Sequence, residues 1–527
     1  MDARFRIASV GVFGVFLAGM VPASLSADSP ISAGDRACLF LDDRFIAEQS
    51  GLKRTWHQGQ PRPEVAIQAE KEDPTDLWPH MYGSVLYDPQ VKVYRMYYES
   101  VVWPSHSPGV SFTCHTRYAE SKDGKSWIKP MLDLYEDLGS KKNNIVIPES
   151  EYAKVFIDPL EKDPAARFKM FVYLHAIKTT PETSALYPAG AKSADGAQIY
   201  PIGGSGECLL SSGDGIHWRF IAGFNSPPWA DEEHAPLRNF TDSRSFLFDP
   251  LAQRYMAYIR TFAKSHVAES KENMKRRAIG ISHSARINRD WSPVVHVIEP
   301  DARDDEKVAP LSKDPTKPDY AEHYSLSFFN YGNHYIGMLS LLYLIDDYDG
   351  NGGGDLQLMY SHDGYKWFRQ PDRQTMVAPS NAEPKLFPNY VSNNGPLEIG
   401  DELWLYYTEA NCAHPMDPKV GVAKSQIRAA VWRKDGFVSL DAAGKGSLTT
   451  QLLTFTGKQL RVNFEGSVTV ALLDERGGRL KGFKPQTLKG NFVSQPVNWD
   501  LSSFAGQPIR LRFDLDHAKL WSFRFAP

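Results

Sequence analysis

Cysteine is scarce in this sequence and widely spaced. Only four cysteines occur in 527 residues, at positions Cys38, Cys114, Cys208 and Cys412. No two of them form a C-x-x-C pair, so a zinc ribbon is excluded. One or two disulfides in an oxidising compartment and buried free thiols are both compatible with this spacing.

Neither an excess of charge nor a strong helical periodicity is present. The chain has 59 basic and 63 acidic residues, which gives a net charge of −4. This charge argues against non-specific binding of nucleic acid. Aromatic residues are abundant instead, with 12 Trp, 24 Tyr and 28 Phe, and Gly and Pro are frequent. This composition favours an all-β protein with many turns.

Long apolar runs are missing after the N-terminus. Residues 1–27 have a basic start, an apolar run and then small residues, so we expect a signal peptide cleaved after Ser26 or Ala27. Its apolar run is short against the ~20 residues that a membrane helix needs. We therefore expect a secreted or periplasmic protein without a membrane span once the signal is removed.

A short motif recurs along the chain. Residues 121–127 read SKDGKSW, residues 211–218 read SSGDGIHW, residues 361–367 read SHDGYKW, and a degraded copy at 282–291 reads SHSARINRDW. Asp-Gly between β-rich runs indicates a tight turn, because Gly accepts positive φ and Asp bonds its own backbone. We predict that Asp123, Asp214 and Asp363 form turns in a repeated unit.

The recurrence predicts the architecture. Five paired-strand patterns occur at residues 82–100, 153–174, 243–260, 324–342 and 393–410, in units of roughly 70–90 residues. We predict a five-bladed β-propeller over residues 38–430, with residues 38–46 completing the last blade, and Trp127, Trp218 and Trp367 packed between blades. Residues 431–527 lack the motif and alternate in short strands, which predicts a β-sandwich domain.

Polar residues stand at the start of the first strand of nearly every unit. In a propeller these strands line a central channel, so their N-terminal ends converge in space. The residues concerned are Asp76, Trp78, His80, Glu149, Glu151, Asp242, Arg244, Glu322, His323, Tyr324, Asn393 and Asn394. Merely capping strands is the alternative role for each of them.

A ring of carboxylates suits glycoside hydrolysis. That reaction needs one protonated and one ionised carboxyl group, and crowding of like charges separates their pKa values. Trp78, Trp103 and Tyr324 are suited to stacking on sugar rings. Arg117, Arg244 and Arg260 are suited to bonding hydroxyls or anionic groups.

The five meanders and the C-terminal strands resemble the five-bladed propeller glycoside hydrolases of families 32 and 43. The nearest likeness is to exported propeller proteins of environmental bacteria labelled family-32-like, through residues 241–260 (TDSRSFLFDPLAQRYMAYIR) and 434–448 (KDGFVSLDAAGKGSL). The resemblance implies a monomeric glycoside hydrolase for poly- or oligosaccharides that requires no cofactor. The W-[MI]-N-D-P-N-G and R-D-P segments of family 32 are absent, and the one E-C dipeptide, Glu207-Cys208, lies in a third strand.

By analogy with these families, we expect Asp242 and Glu322 to be the key carboxylates, with Asp76 third. The expected substrate-contacting residues are Trp78, His80, Trp103, Arg117, Glu151, Arg244, Arg260, His323, Tyr324 and Asn394. A non-catalytic glycan-binding propeller is one alternative. A sialidase-like enzyme is another, although the turn motif is one residue shorter than an Asp-box and the count of blades is five rather than six.

One loop has the spacing of a calcium ligand set. Residues 347–352 read DYDGNG, which places Asp347, Asp349 and Asn351 at positions 1, 3 and 5 of a calcium loop, with Asp355 at position 9. Leu358 stands where an EF-hand has its Glu. A structural calcium ion is therefore one hypothesis, and an Asp/Gly-rich hairpin loop in the fourth unit is the other.

Overall fold

A computed structural model describes residues 29–70, 73, 76–102, 113–174, 186, 206–223, 244–264, 275–308, 319–344, 354–378, 387–411 and 424–527. The predicted signal peptide lies outside the described residues. In the described part of the chain, no helix is long and apolar enough to cross a membrane.

Five short strands precede the first blade. They are β1 (Ile31–Gly34), β2 (Cys38–Leu39), β3 (Ile46–Ser50), β4 (Lys53–Trp56) and β5 (Gln60–Gln68). Only β5 belongs to the ring of blades, since the other four pair with strands near the C-terminus.

Five antiparallel sheets form the predicted propeller. Blade 1 comprises β6 (Trp78–Asp88), β7 (Val93–Val102), β8 (Thr113–Ser121) and β9 (Ile145–Ile147). Blade 2 comprises β10 (Ser150–Ile157), β11 (Phe168–Leu174), β12 (Gly206–Ser212) and β13 (Arg219–Gly223). Blade 3 comprises β14 (Arg244–Asp249), β15 (Arg254–Lys264), β16 (Lys275–Ser284) and β17 (Val295–Ile298). Blade 4 follows the short helix α1 (Ala302–Asp305) and comprises β18 (Tyr320–Tyr331), β19 (His334–Leu344), β20 (Gly354–Ser361) and β21 (Trp367–Arg369).

Blade 5 contains β22 (Phe387–Val391), β23 (Leu397–Ile399), β24 (Glu402–Ala410) and β25 (Ser425–Arg433) and is completed by β5. The count of five blades is confirmed, but the expectation that residues 38–46 close the ring is wrong. Those residues are apolar enough to be drawn into another core, where Phe40 and Phe45 are fully buried among C-terminal strands. The more polar Gln60–Gln68 takes the outer edge of blade 5.

The C-terminal strands are β26 (Val438–Thr450), β27 (Leu453–Phe455), β28 (Gln459–Leu473), β29 (Gln486–Pro496) and β30 (Arg510–Ala526). All of them except β27 belong to a seven-stranded sheet in the order β29-β28-β30-β26-β3, with β2 joined to β30 and β4 joined to β26. Beside it, β1 and β27 make a parallel pair. The sandwich fold of residues 431–527 stays a prediction, and N-terminal residues contribute three strands to the large sheet.

The turn motif behaves as predicted. In blade 1, Asp123 accepts hydrogen bonds at 2.8 Å from the backbone N–H groups of both Lys125 and Ser126. These bonds lower the pKa of Asp123 to about 2. Gly124 has φ 71°, the left-handed conformation for which Gly is suited. Asp214 and Asp363 accept the same pairs of backbone bonds in blades 2 and 4.

Each turn tryptophan packs on an aromatic ring of the preceding blade. Trp127 meets Tyr406 of blade 5 at a centroid distance of 5.3 Å, and Trp218 meets Tyr97 of blade 1 at 6.1 Å. Trp367 likewise meets Tyr258 of blade 3 at 5.5 Å. The prediction that these residues pack between blades is confirmed.

Hydrogen bonds tie the five innermost strands together. Val155 N–H donates to the Ser84 hydroxyl between blades 2 and 1, and the Ser245 hydroxyl donates to the Leu326 carbonyl between blades 3 and 4. From blade 5, Asn393 N–H donates to Gly83 O at 2.9 Å, and its side chain donates to a carbonyl of blade 3. These bonds hold the innermost strands of different blades in fixed positions relative to one another.

Candidate active site

Three strand ends of every blade meet at one end of the ring. Because neighbouring strands are antiparallel, the start of the first strand lies beside the end of the second and the start of the third. We call this end the mouth and define it by His80, Glu99, Glu151, Glu207, Arg277, Glu322 and Glu409. All of them except Arg277 are buried.

Four tyrosines from four blades lie directly below the mouth. Tyr82 packs against Tyr152 at 4.5 Å, Tyr390 at 4.3 Å and Tyr324 at 6.2 Å between ring centroids. Lys154 places its Nζ 4.9 Å from the Tyr82 ring centroid, within cation–π range. This group, which we call the tyrosine floor, is a largely buried aromatic cluster assembled from blades 1, 2, 4 and 5.

His80 and Glu99 form a pair on blade 1, where their strands place them directly opposite. His80 Nε2 lies 3.3 Å from Glu99 Oε1, while His80 Nδ1 lies 3.2 Å from the Trp78 carbonyl. Because the carbonyl can only accept, this contact favours the tautomer with its proton on Nδ1, and Nε2 then faces the carboxyl group of Glu99.

Further carboxylates surround this pair. The backbone N–H of Tyr152 donates to Glu99 Oε2 at 2.8 Å, which brings Glu99 beside Glu151. Burial, followed by the negative charges of Glu99 and Glu151, raises the pKa of the nearby Cys114 thiol well above its ordinary value. Glu207 is fully buried on the same sheet as Glu151, with Tyr173 between them in register. Negative charge is therefore concentrated where blades 1 and 2 meet.

Glu322 brings a carboxylate from blade 4. Its Oε1 accepts the backbone N–H of Arg277 at 3.1 Å, and its Oε2 accepts the guanidinium of the same residue. Arg277 also lies 5.6 Å from the ring centroid of Tyr324, a member of the tyrosine floor. The arginine of blade 3 thus fixes the orientation of Glu322 beside the floor.

His323 points the other way, away from Glu322. It is fully buried, and its Nε2 lies 3.1 Å from Asp304 Oδ2. Burial lowers the pKa of His323 although Asp304 opposes that shift. Arg369 and Arg373 also bind Asp304. This network belongs to the packing between blade 4 and helix α1.

Asp76 and Arg117 lie in a buried ion network on blade 1. Asp76 Oδ2 accepts from the Tyr98 hydroxyl at 2.9 Å and from Lys129 Nζ at 2.6 Å, while Arg117 donates to Asp73 at 2.7 Å. Burial is the largest single influence and lowers the pKa of Arg117, but Asp76, Tyr98 and Asp73 together outweigh it, so that the pKa is raised. Since Tyr98 packs with residues of blade 5, this network occupies an interface between blades.

The remaining predicted site residues do not share one location. Trp78 is buried next to His80, with ring centroids 4.8 Å apart. Asn394 donates to the Val155 carbonyl of blade 2 at 2.9 Å, which is a scaffold contact. Arg260 lies on β15 with its guanidinium 5.6 Å from the Phe262 ring centroid, and Arg244 begins β14. Asp242 and Trp103 lie outside the described residues.

The predicted calcium loop is described only at its last ligand. Asp347, Asp349 and Asn351 lie outside the described residues. Asp355 is buried on β20, where its Oδ2 accepts from Lys307 Nζ at 2.6 Å and from the Gln357 amide at 3.0 Å. The contacts of Asp355 are thus with protein groups.

Sequence reasoning missed Glu99, Glu409, Arg277 and three members of the tyrosine floor. The candidate carboxylates came from the start of each first strand. Glu99 and Glu409 lie near the end of a second strand and Arg277 near the start of a third, and antiparallel pairing brings these positions to the same end of a blade. Tyr82 lies inside the first predicted strand pair, whereas Tyr152 and Tyr390 lie just before the patterns that begin at residues 153 and 393.

Comparison with protein-family models and with curated proteins finds no match. Among solved structures, the chain is similar to a thermostable family-43 glycoside hydrolase, with 13% identity, 71% of this chain and 92% of that chain covered, and a TM-score of 0.41. It is also similar to a glycosyl hydrolase from Bacteroides ovatus, at 11% identity, 73% and 97% coverage and a TM-score of 0.42. An α-L-arabinofuranosidase from Lactobacillus brevis has 11% identity, 71% and 97% coverage and a TM-score of 0.38. Likenesses of this size do not transfer an activity.

Proposed function

We propose that this protein is a secreted glycoside hydrolase that cleaves a glycosidic bond of a poly- or oligosaccharide at the mouth. The observation that carries the proposal is the His80–Glu99 pair, an imidazole that faces a carboxyl group beside other carboxylates and above the tyrosine floor. Glycoside hydrolysis uses such a combination, a carboxyl group that delivers a proton and a second carboxylate that stays ionised.

The chemistry assigns two roles. In its protonated form, Glu99 donates its proton to the glycosidic oxygen as the bond to the sugar breaks, and His80 positions its carboxyl group. Glu322, oriented by Arg277, is the candidate for the second carboxylate, which either attacks the sugar carbon or takes a proton from water. In the first case water later releases the sugar from the carboxylate, and in the second case water is added directly. Proton NMR of the first-formed anomer distinguishes the two.

The first test is a pair of isosteric substitutions. We expect Glu99→Gln and Glu322→Gln each to lower kcat on an accepted glycan by about 10²–10⁴-fold, since each removes a group that handles protons or charge in the reaction. Glu64→Gln, on the exposed face of β5, is the matched control and should keep full activity. Full activity in both mouth variants, with the fold intact, would refute the assignment. Asp242→Asn belongs in the same series because the sequence also predicts a catalytic role for Asp242.

A non-catalytic glycan-binding propeller is the second candidate. It is favoured by the tyrosine floor, since aromatic rings stack on sugars without any chemistry, and by the absence of the family-32 motifs. Saturable binding of a glycan by calorimetry, with no product released from any glycan of a broad panel, would support it over the hydrolase. The sialidase-like alternative has less support, because Arg276 and Arg277 are engaged by Asp305 and Glu322.

A further inference from the structure

Three side chains that the proposed reaction does not use meet at the end of blade 4 opposite the mouth. Asp42 comes from the segment between β2 and β3, His334 begins β19, and His362 lies in the turn between β20 and β21. One carboxylate oxygen of Asp42 and one ring nitrogen of each histidine all lie within 4.8 Å of one another. We call these three residues the His–Asp cluster.

His334 provides the main evidence that this cluster binds a ligand. It is fully buried, and neither of its ring nitrogens has a hydrogen-bond partner among the described residues. Its neighbours are aromatic rings, with Phe45 and Tyr360 each at 6.1 Å between centroids and His362 at 5.1 Å. Buried polar groups are almost always paired, so an imidazole in this position indicates a partner that is neither protein backbone nor side chain.

We propose that the His–Asp cluster binds one divalent transition-metal ion, with zinc the best match. Two imidazole nitrogens and one carboxylate oxygen form a mixed donor set that suits zinc, whereas calcium and magnesium prefer oxygen ligands. Neighbouring donors around a tetrahedral zinc lie about 3.3 Å apart. His362 Nε2 and Asp42 Oδ2 are 2.7 Å apart, and all three donors lie within 4.8 Å, so small side-chain rotations suffice.

Arg44 competes with the ion for His362. Its Nη1 lies 2.9 Å from His362 Nδ1 and donates to it, which leaves the ring proton on Nε2, facing Asp42. An ion bound at Nε2 moves that proton to Nδ1, where it would oppose the arginine. Arg44 is only half-buried, so it can turn to solvent when the ion binds.

The position of the cluster indicates a structural ion. Asp42 belongs to the same short segment as Phe45, which is buried in the core of the C-terminal sheet, while both histidines belong to blade 4. An ion held by all three would therefore fasten the N-terminal segment and the C-terminal sheet to the propeller. Its effect should appear in stability and not in the chemistry at the mouth.

The experiment uses the full chain, freed of metal by a chelator and dialysed, and titrated with zinc chloride in a calorimeter. We expect one zinc ion per chain and a higher melting temperature with zinc. His362→Gln and Asp42→Asn should each weaken zinc binding at least about 100-fold, because a direct ligand matters more than the outer groups whose loss already costs 10–100-fold. Arg44→Gln should bind zinc roughly tenfold more tightly, because one opposing charge is gone.

His217→Gln is the matched control. His217 pairs with Asp214 at 2.7 Å in the corresponding turn of blade 2 and is exposed, but the described residues offer this pair no third ligand. Its zinc binding should equal that of the unaltered protein. The proposal is overturned if the unaltered protein shows no saturable zinc binding, or if His362→Gln and Asp42→Asn keep it while their melting curves show a folded chain.

Discussion

At the scale of the residue, two buried carboxyl groups of the same blade have different roles according to where they lie. Glu99 and Asp76 are both buried carboxylates of blade 1. Glu99 faces His80 Nε2 at 3.3 Å at the mouth, whereas Asp76 accepts from Tyr98 and Lys129 in an interface between blades. Burial alone therefore does not distinguish a reacting carboxyl group from one that holds the structure.

This difference predicts opposite outcomes for two substitutions. Asp76→Asn should lower the free energy of unfolding by about 3–5 kcal/mol, because it leaves Arg117 and Lys129 without their buried counter-charge. The activity per folded molecule should be kept, in contrast to Glu99→Gln. Urea unfolding, with kcat measured on the folded fraction, checks both, and Asp35→Asn on an exposed residue is the control. A folded Asp76→Asn protein without activity would restore the catalytic role that the sequence predicts for Asp76.

At the scale of the element, the turn and the neighbouring blade are matched. The Tyr97 hydroxyl donates to the Gly215 carbonyl at 2.8 Å, and Tyr406 and Tyr258 donate to Gly124 and Gly364 in the same way. Blade 3 has the degraded turn without Asp-Gly, and there the facing residue is Phe171, 6.3 Å from Trp291. A hydroxyl is thus present where the turn offers a carbonyl and absent where the turn has changed.

We expect Tyr97→Phe and Tyr258→Phe each to lower the free energy of unfolding by about 1 kcal/mol, since each loses a buried hydrogen bond and leaves a carbonyl unpaired. Trp218→Ala should cost ~3–5 kcal/mol through the cavity that it leaves. Chemical denaturation of the purified variants checks these values. An activity loss in a Trp218→Phe protein of unchanged stability would contradict the purely structural role of the motif.

The packing of blade 4 predicts how the protein responds to acid. Burial would raise the pKa of Asp304, but hydrogen bonds from His323 and Arg369 outweigh it and hold that pKa well below its ordinary value. A carboxyl group whose pKa is lower in the folded than in the unfolded state stabilises the fold. Its contribution is complete at pH values above the unfolded-state pKa of about 3.9 and is lost as the pH falls through the folded-state pKa. The pKa of His323 is also lowered in the folded protein. His323 therefore begins to destabilise the fold once the pH falls below its unfolded-state pKa of about 6.5, because the unfolded chain then takes up a proton that the folded chain does not.

We therefore expect the free energy of unfolding to fall in two stages on acidification. Denaturation curves from about pH 7 to about pH 3 check this, and Asp304→Asn should be less stable at pH 7 but should lose less below about pH 4. Parallel curves for the two proteins across this range would show that Asp304 is not the responsible group.

At the scale of the whole molecule, local features were predictable and long-range pairings were not. The Asp-Gly-x-x-Trp turns could be predicted because their hydrogen bonds lie within a few residues, and the five paired-strand patterns between and beyond them predicted the five blades. Residues 38–46 and Gln60–Gln68 are both strand-like, and only the choice of partner hundreds of residues away decides which one closes the ring. Glu99 was missed for a different reason, since the candidate carboxylates were sought on first strands and Glu99 lies on β7, opposite His80 of β6.

The course of the N-terminal segment also constrains how the protein is made. Residues 31–68 find their strand partners in β25, β26, β27 and β30, which are synthesised hundreds of residues later. Loop closure over such a sequence separation is slow, and strand edges that are still unpaired are prone to aggregation. The strands β1–β5 are therefore synthesised long before their partners and are among the last to become ordered. Until their partners arrive, the exposed edges of these strands need protection from aggregation.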